Sequence, residues 1–130
     1  MGDLENAVKH LQSALRADPD NSQVRTFYRK VRDLEEKKDG GADAFKRGAY
    51  QEAIDLWTAA IEVDKTNKNI ATKLYSNRGT ALFKLKQYPE AIRDCDRAIA
   101  LDSEYLKAYI RRAECYYALG DAESLQHCVR

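Results

Sequence analysis

Apolar residues recur along this chain at helical spacing. In "LENAVKHLQSALRADPDN", Leu4, Ala7, Leu11 and Ala14 keep the three-and-four rhythm that turns one side of an α-helix toward a core. After the turn signal Pro19-Asp20-Asn21 the rhythm resumes in Val24, Phe27, Tyr28, Val31 and Leu34, with Ser22 as the expected N-cap. Read to its end, the pattern predicts helices over about 3–17, 22–47, 50–64, 69–86, 88–101, 103–119 and from 122 onward. The second is long and contains Gly40-Gly41; each glycine inside a helix costs about 1 kcal/mol, so a bend is expected there. In "KAYIRRAECYYALG", Tyr109, Ala113 and Tyr117 are spaced to face a core, while Lys107 and Arg111, four apart, share another stripe. Like charges at that spacing repel by a few tenths of a kcal/mol, with Glu104 and Glu114 lying outside the pair to offset part of it.

The helices repeat. "GAYQEAIDLWTAAIEVD" and "KQYPEAIRDCDRAIALD" match at Tyr50/Tyr88, Ala53/Ala91, Ile54/Ile92, Ala60/Ala98 and Asp64/Asp102, every pair 38 apart. "NRGTALFKLKQY" and "RRAECYYALGDA" match at Arg78/Arg112, Ala81/Cys115, Phe83/Tyr117 and Lys86/Gly120, 34 apart. A third copy places Leu4, Ala7, Leu11, Ala14 and Pro19 as Tyr50, Ala53, Trp57, Ala60 and Lys65 are placed, 46 earlier. The excess of 12 over a 34-residue unit is roughly three helical turns, so a spacer helix is expected between the first two copies. The excess of four in the 38 spacing falls at 66–69 and lengthens the start of one helix. The expected division is therefore 1–37, the second helix of a truncated repeat plus the spacer helix, and 38–130, two complete repeats and a truncated one. Small residues at facing positions let antiparallel helices approach closely, and each pair leaves an apolar face that the next pair covers.

Composition narrows the function. Charged residues are 33% of the 130 but the net charge is only +1, which argues against a general nucleic-acid binder. No apolar run is long enough to span a membrane, and "MGDLEN" has neither the apolar core of a signal peptide nor the Ser or Thr that myristoylation wants at Asn6. Cys95, Cys115 and Cys128, 20 and 13 apart, make neither a metal pattern nor a disulfide framework; small buried thiols in a reducing compartment are expected, most simply the cytosol. His10 and His127 are the only histidines, and there is no phosphate-binding loop, nucleophile elbow or metal-ligand cluster, so neither enzyme chemistry nor a cofactor is expected of these residues.

The units resemble the tetratricopeptide repeat (TPR) family. First helices carry Gly41 and Phe45, then Tyr75, Gly79 and Phe83, then Tyr109, Ala113 and Tyr117; second helices carry Ala53, Trp57 and Ala60, then Ala91, Cys95 and Ala98. The resemblance implies an all-α, right-handed superhelical stack of antiparallel helix pairs, whose first helices line a concave groove suited to an extended peptide. Trp57 is then core. At the end, Cys128 rather than Leu125 is expected at the small position of the final helix, which stops short, as in a piece of a longer protein.

Within the family, some TPR domains of co-chaperones hold a partner's free C-terminus in a carboxylate clamp: Lys and Asn four apart on one first helix, Asn on the next, Lys and Arg four apart on the third. The resemblance places Lys38, Asn77, Lys107 and Arg111 at four of these positions and leaves Ala42 where the first Asn belongs. It implies as partner the C-terminal Glu-Glu-Val-Asp tail of the cytosolic Hsp70 or Hsp90 chaperones. Cations and an amide make charge-assisted hydrogen bonds to a terminal Asp, Arg111 as a fork and the lysines as point charges. The stretch is most similar to the repeats of TPR-containing J-domain co-chaperones, with Hop-type adaptors as the nearest rival; no His-Pro-Asp occurs, so no J-domain activity is expected here. Competing readings are a scaffold that holds an internal segment of a partner and the TPR part of a larger enzyme. Bland alternatives for the cations are a Lys38–Glu35 pair and solvated Arg25, Arg29 and Arg32 facing Asp33 and Glu36.

Overall fold

The structure of the protein, a computed structural model, describes residues 3–120. Among the described residues there are six helices and no strands: α1 (Asp3–Ala17), α2 (Ser22–Lys46), α3 (Tyr50–Val63), α4 (Lys68–Lys84), α5 (Tyr88–Leu101) and α6 (Leu106–Leu119). The expected helix from 122 onward, with Leu125, His127 and Cys128, lies outside the described residues.

Local chemistry sets the boundaries. Asn21, not Ser22, caps α2: its side chain accepts from the Val24 N–H at 3.0 Å. Asn67 does the same for α4, accepting from Ile70 N–H at 3.1 Å. The segment 103–105 forms a turn before α6 rather than its first residues, with Tyr105 N–H bonding the Asp102 carbonyl at 3.1 Å. α2 and α4 end alike. Ala49 N–H reaches back to the Ala44 carbonyl and Gln87 N–H to Leu82, both at 2.9 Å, and Gly48 and Lys86 take the left-handed conformation this closure requires, φ 79° and 63°. The Lys86/Gly120 match is thus a turn match; Gly120 is left-handed too, φ 71°.

Each helix packs on its neighbours in order, and α4 also touches α6. α2 runs unbroken through Gly40 and Gly41, and the boundary expected at 37/38 falls inside it. Its first half is not a bare spacer: Val31 and Leu34 are buried in one core with Leu4 and Val8 of α1. That core continues through Ala44, Ala53, Trp57, Leu74, Ala81 and Cys115. At α6 the expectation fails in part. Ala108 and Cys115 are its buried residues, whereas Tyr109 and Tyr117 are 37% and 74% exposed and Ala113 also faces outward. In α2 and α4 the corresponding positions are covered by the second helices α3 and α5, and among the described residues no helix follows α6.

Three helices are joined by one ion network built on a buried carboxylate. Asp94 of α5, 1% exposed, accepts from Arg78 Nε and Nη2 of α4, both at 2.7 Å, and from Arg97 Nη1 at 2.7 Å. Arg78 Nη1 also donates to Thr58 Oγ1 of α3 at 3.1 Å. The fork on Asp94 raises the Arg78 pKa further, so the guanidinium stays charged.

Candidate functional site

α2 and α4 stand side by side with α3 behind them, and the space between is a groove. Its walls are Ala42, Phe45 and Lys46 of α2 and Asn77 and Thr80 of α4, with Trp57 of α3 beneath; its volume is about 210 Å³. Sequence explains the depth. Gly41 faces Trp57 so closely that a Cβ there would come within 2.4 Å of the indole Nε1. With no side chain in the way, the indole slides in and donates its N–H to the Lys38 carbonyl at 3.2 Å. Phe45 leans on the same ring, centroids 6.1 Å apart, and Tyr50 meets Phe45 edge-on at 5.2 Å.

The expected site residues fall on the three first helices as the family pattern implies, but not all on this groove. Ala42 and Asn77 line it from opposite walls; Lys38, Lys107 and Arg111 are not among its lining residues. Lys38 sits one turn before Ala42, half-buried, its ammonium 3.6 Å from Asp39 rather than on Glu35. Arg111 of α6 lies over the Phe83 ring of α4, 4.8 Å from the centroid, and pairs with Glu114 at 3.4 Å. Lys107 is exposed and has no acidic partner among the described residues. The repulsion within the Lys107–Arg111 stripe is therefore relieved from its C-terminal side by Glu114 and by the aromatic face below.

Neighbouring cations are occupied structurally. Arg112 reaches Asp96 of α5 at 2.8 Å and covers Tyr109, which fixes α6 against α5. Lys37 pairs with Asp33, so Asp33 does not serve Arg29, while Arg32 pairs with Glu36 at 3.3 Å. Arg47 is shared by Asp43 and Glu52. Neither thiol among the described residues is a ready nucleophile: burial, with Cys115 and Asp94 nearby, pushes Cys95 up to about 12, and burial pushes Cys115 up to about 11. Among the described residues no His, Cys, Asp and Glu group is arranged to hold a metal ion, and no helix is long and apolar enough to cross a membrane.

Sequence reading did not single out Lys46 and Thr80 as groove residues, and it gave Phe83 as a packing position rather than as the ring beneath Arg111. The signal for Lys46 was present in its spacing, one turn beyond Ala42 on the same helix. Thr80 and Phe83 follow Asn77 at three and six residues, but only the packing of α2 and α6 shows which of their neighbours face the concave side.

Comparison with known proteins follows the same lines. The Tetratricopeptide repeat family matches residues 72–105 and again 1–21. DnaJ homolog subfamily C member 7 of Mus musculus is 42% identical over 127 residues, which are 98% of this chain and 25% of that protein. The chain thus spans about a quarter of the length of the curated relatives it matches. Among solved structures, the second TPR of Spaghetti bound to the HSP90 peptide SRMEEVD is 35% identical with a TM-score of 0.63, covering 74% of this chain and 85% of that one. The TPR2B domain of yeast Sti1, in a complex with an Hsp70 peptide, is 34% identical with a TM-score of 0.62, covering 72% of this chain and 73% of that one.

Proposed function

This chain belongs to the tetratricopeptide repeat family, and from that premise we propose that it is the peptide-binding module of a co-chaperone, taking the acidic C-terminal tail of Hsp70 or Hsp90 on the concave side of its first helices. The observation that carries the reading is the groove in which position 42 of α2 faces Asn77 of α4 above Trp57. The solved structures bound to the HSP90 peptide SRMEEVD and to an Hsp70 peptide, at 35% and 34% identity, support it. In this reading a terminal Asp brings two carboxylates. Asn77 donates its amide, Lys38 and Lys107 supply point charges, and Arg111, held over the Phe83 ring, offers a fork. Arg111 already forms an ion pair with Glu114, so the peptide exchanges one carboxylate for another there. Ala42 supplies no donor, which leaves a partial clamp of four groups. Tails of this kind belong to cytosolic chaperones, and the cytoplasm is the proposed place of action.

The test is a calorimetric titration of the chain with SRMEEVD as the free acid and as its C-terminal amide. The acid is expected to bind at least about tenfold tighter, since a lost charge-assisted bond is worth about 1.5–3 kcal/mol. Added salt is expected to weaken the acid more than the amide. Equal binding of the two would instead favour a scaffold that holds an internal segment of its partner.

A further inference from the structure

We infer that Lys46 is a binding residue for the peptide's acidic end, standing in for the amide that position 42 lacks. The inference rests on the proposed seat of an acidic C-terminus in the α2–α4 groove and adds to it a residue outside the four groups of the partial clamp. Four observations carry it. Lys46 lines the same groove as Ala42 and Asn77. It lies four residues beyond Ala42, one turn along the same face of α2. It is exposed, and among the described residues no acid pairs with it, whereas Lys37 and Lys38 on the same half of α2 and Arg47, which follows the helix, each have an acidic partner. Finally, Ala42 ends at its Cβ and brings no polar group to the groove, whose other lining on that side is the apolar Phe45 and Trp57.

The chemistry follows from this arrangement. An ammonium on a four-carbon stem reaches farther than an amide and carries full charge, so it can serve a carboxylate from one turn away. The apolar floor lowers the local dielectric and strengthens a charge-assisted bond formed against it. Asn77 and Thr80 on the opposite wall supply the neutral donors that complete the carboxylate's surroundings without repelling Lys46. The ligand class is therefore a peptide with a carboxylate at or next to its C-terminus, held between Lys46 and Asn77.

The experiment is a titration with SRMEEVD free acid and amide, run on the wild type, Lys46→Ala, Lys46→Arg, Ala42→Asn and the Ala42→Asn/Lys46→Ala double variant. Lys9→Ala on α1 controls for overall charge. Lys46→Ala is expected to lose on the order of tenfold in affinity for the acid and to flatten its salt dependence. Lys46→Arg keeps the greater part of the affinity, and Lys9→Ala leaves it unchanged. In the Ala42→Asn background the same Lys46→Ala change costs about threefold or less, because the restored amide takes the carboxylate. A wild type that prefers the acid, with Lys46→Ala binding like wild type or Lys9→Ala losing as much, overturns the role of Lys46 and leaves the clamp standing. A wild type that binds acid and amide alike overturns both, and does so before any variant is compared.

Discussion

At matching positions 38 residues apart, the α2–α3 pair carries Trp57 and the α4–α5 pair carries Cys95. Both face a glycine of the preceding helix. Opposite Trp57, Gly41 has no room at all, since a Cβ would meet the indole at 2.4 Å. Opposite Cys95, a Cβ on Gly79 would sit 3.3 Å from the Ala91 carbonyl and 3.5 Å from Sγ. The first joint is filled by one large ring, which also lines the groove between α2 and α4. The second is filled by a small thiol and is tied across its other side by Asp94, Arg78 and Arg97. The lesson is that one repeat unit tolerates different means of closure, and the choice decides what lines the hollow beside the joint. Where the indole fills the joint, Ala42, Phe45 and Trp57 give the groove beside it an apolar lining; where the thiol does, the hollow on the other side, about 290 Å³, is lined by the charged Arg78, Asp94 and Arg97, and the Arg78–Asp94 fork ties α4 to α5.

The contrast breaks first at the large residues. Trp57→Ala is expected to cost about 3–5 kcal/mol and to abolish the groove floor, while Cys95→Ala costs about 1 kcal/mol; chemical denaturation measures both. Next comes the network. Asp94→Asn leaves Arg78 without its bidentate partner in a site where Asp94 is 1% exposed, and a loss of about 3 kcal/mol is expected by the same measurement. The glycines sharpen the comparison. Gly41→Ala is expected to destabilise by about 1–3 kcal/mol through overpacking, and Gly79→Ala to stay within about 1 kcal/mol of wild type, helix propensity offsetting the tight carbonyl. In the Trp57→Ala background the clash is gone, and Gly41→Ala becomes stabilising by up to about 1 kcal/mol, which a double-mutant cycle reads directly.

The smallest effect is at the loops that follow the two second helices. Asp64 accepts from Thr66 N–H at 2.8 Å and from Thr66 Oγ1 at 2.6 Å, with Lys30 of α2 at 3.8 Å, and these hold its carboxyl below the usual range. A carboxyl with a lowered folded pKa stabilises fully above the ordinary value near 4 and loses that contribution as pH falls through the folded value. Wild type is therefore expected to melt higher than Asp64→Asn at pH 7, and the gap to close as pH drops below about 4. Asp102, which accepts from Glu104 N–H at 3.0 Å, closes the matching turn, and its change to Asn is expected to cost less at neutral pH.

Much of this was legible in the residues. The repeat offsets fixed the six described helices to within a few residues, because an amphipathic stripe, a turn residue and a cap each leave a local mark. The differences lie where tertiary contacts outrank local preference. Gly40-Gly41 suggested a bend in one long helix; α2 does run through both glycines, and Gly41 is buried against Trp57. Tyr109, Ala113 and Tyr117 carry the core spacing, yet a stripe is buried only where another helix lies on it. The four expected clamp residues could be placed on three helices from the family pattern; that Arg111 rests on Phe83, or that Lys38 turns to Asp39, could not.

By itself the sequence determined which helices form, how they repeat and which positions carry cations and an amide, because those are local or periodic properties of the chain. Only the tertiary structure decided that Ala42, Lys46 and Asn77 border one groove with Trp57 beneath it. That depends on how closely two helices approach across a third, and the approach is set by a glycine and a ring 16 residues apart in the chain.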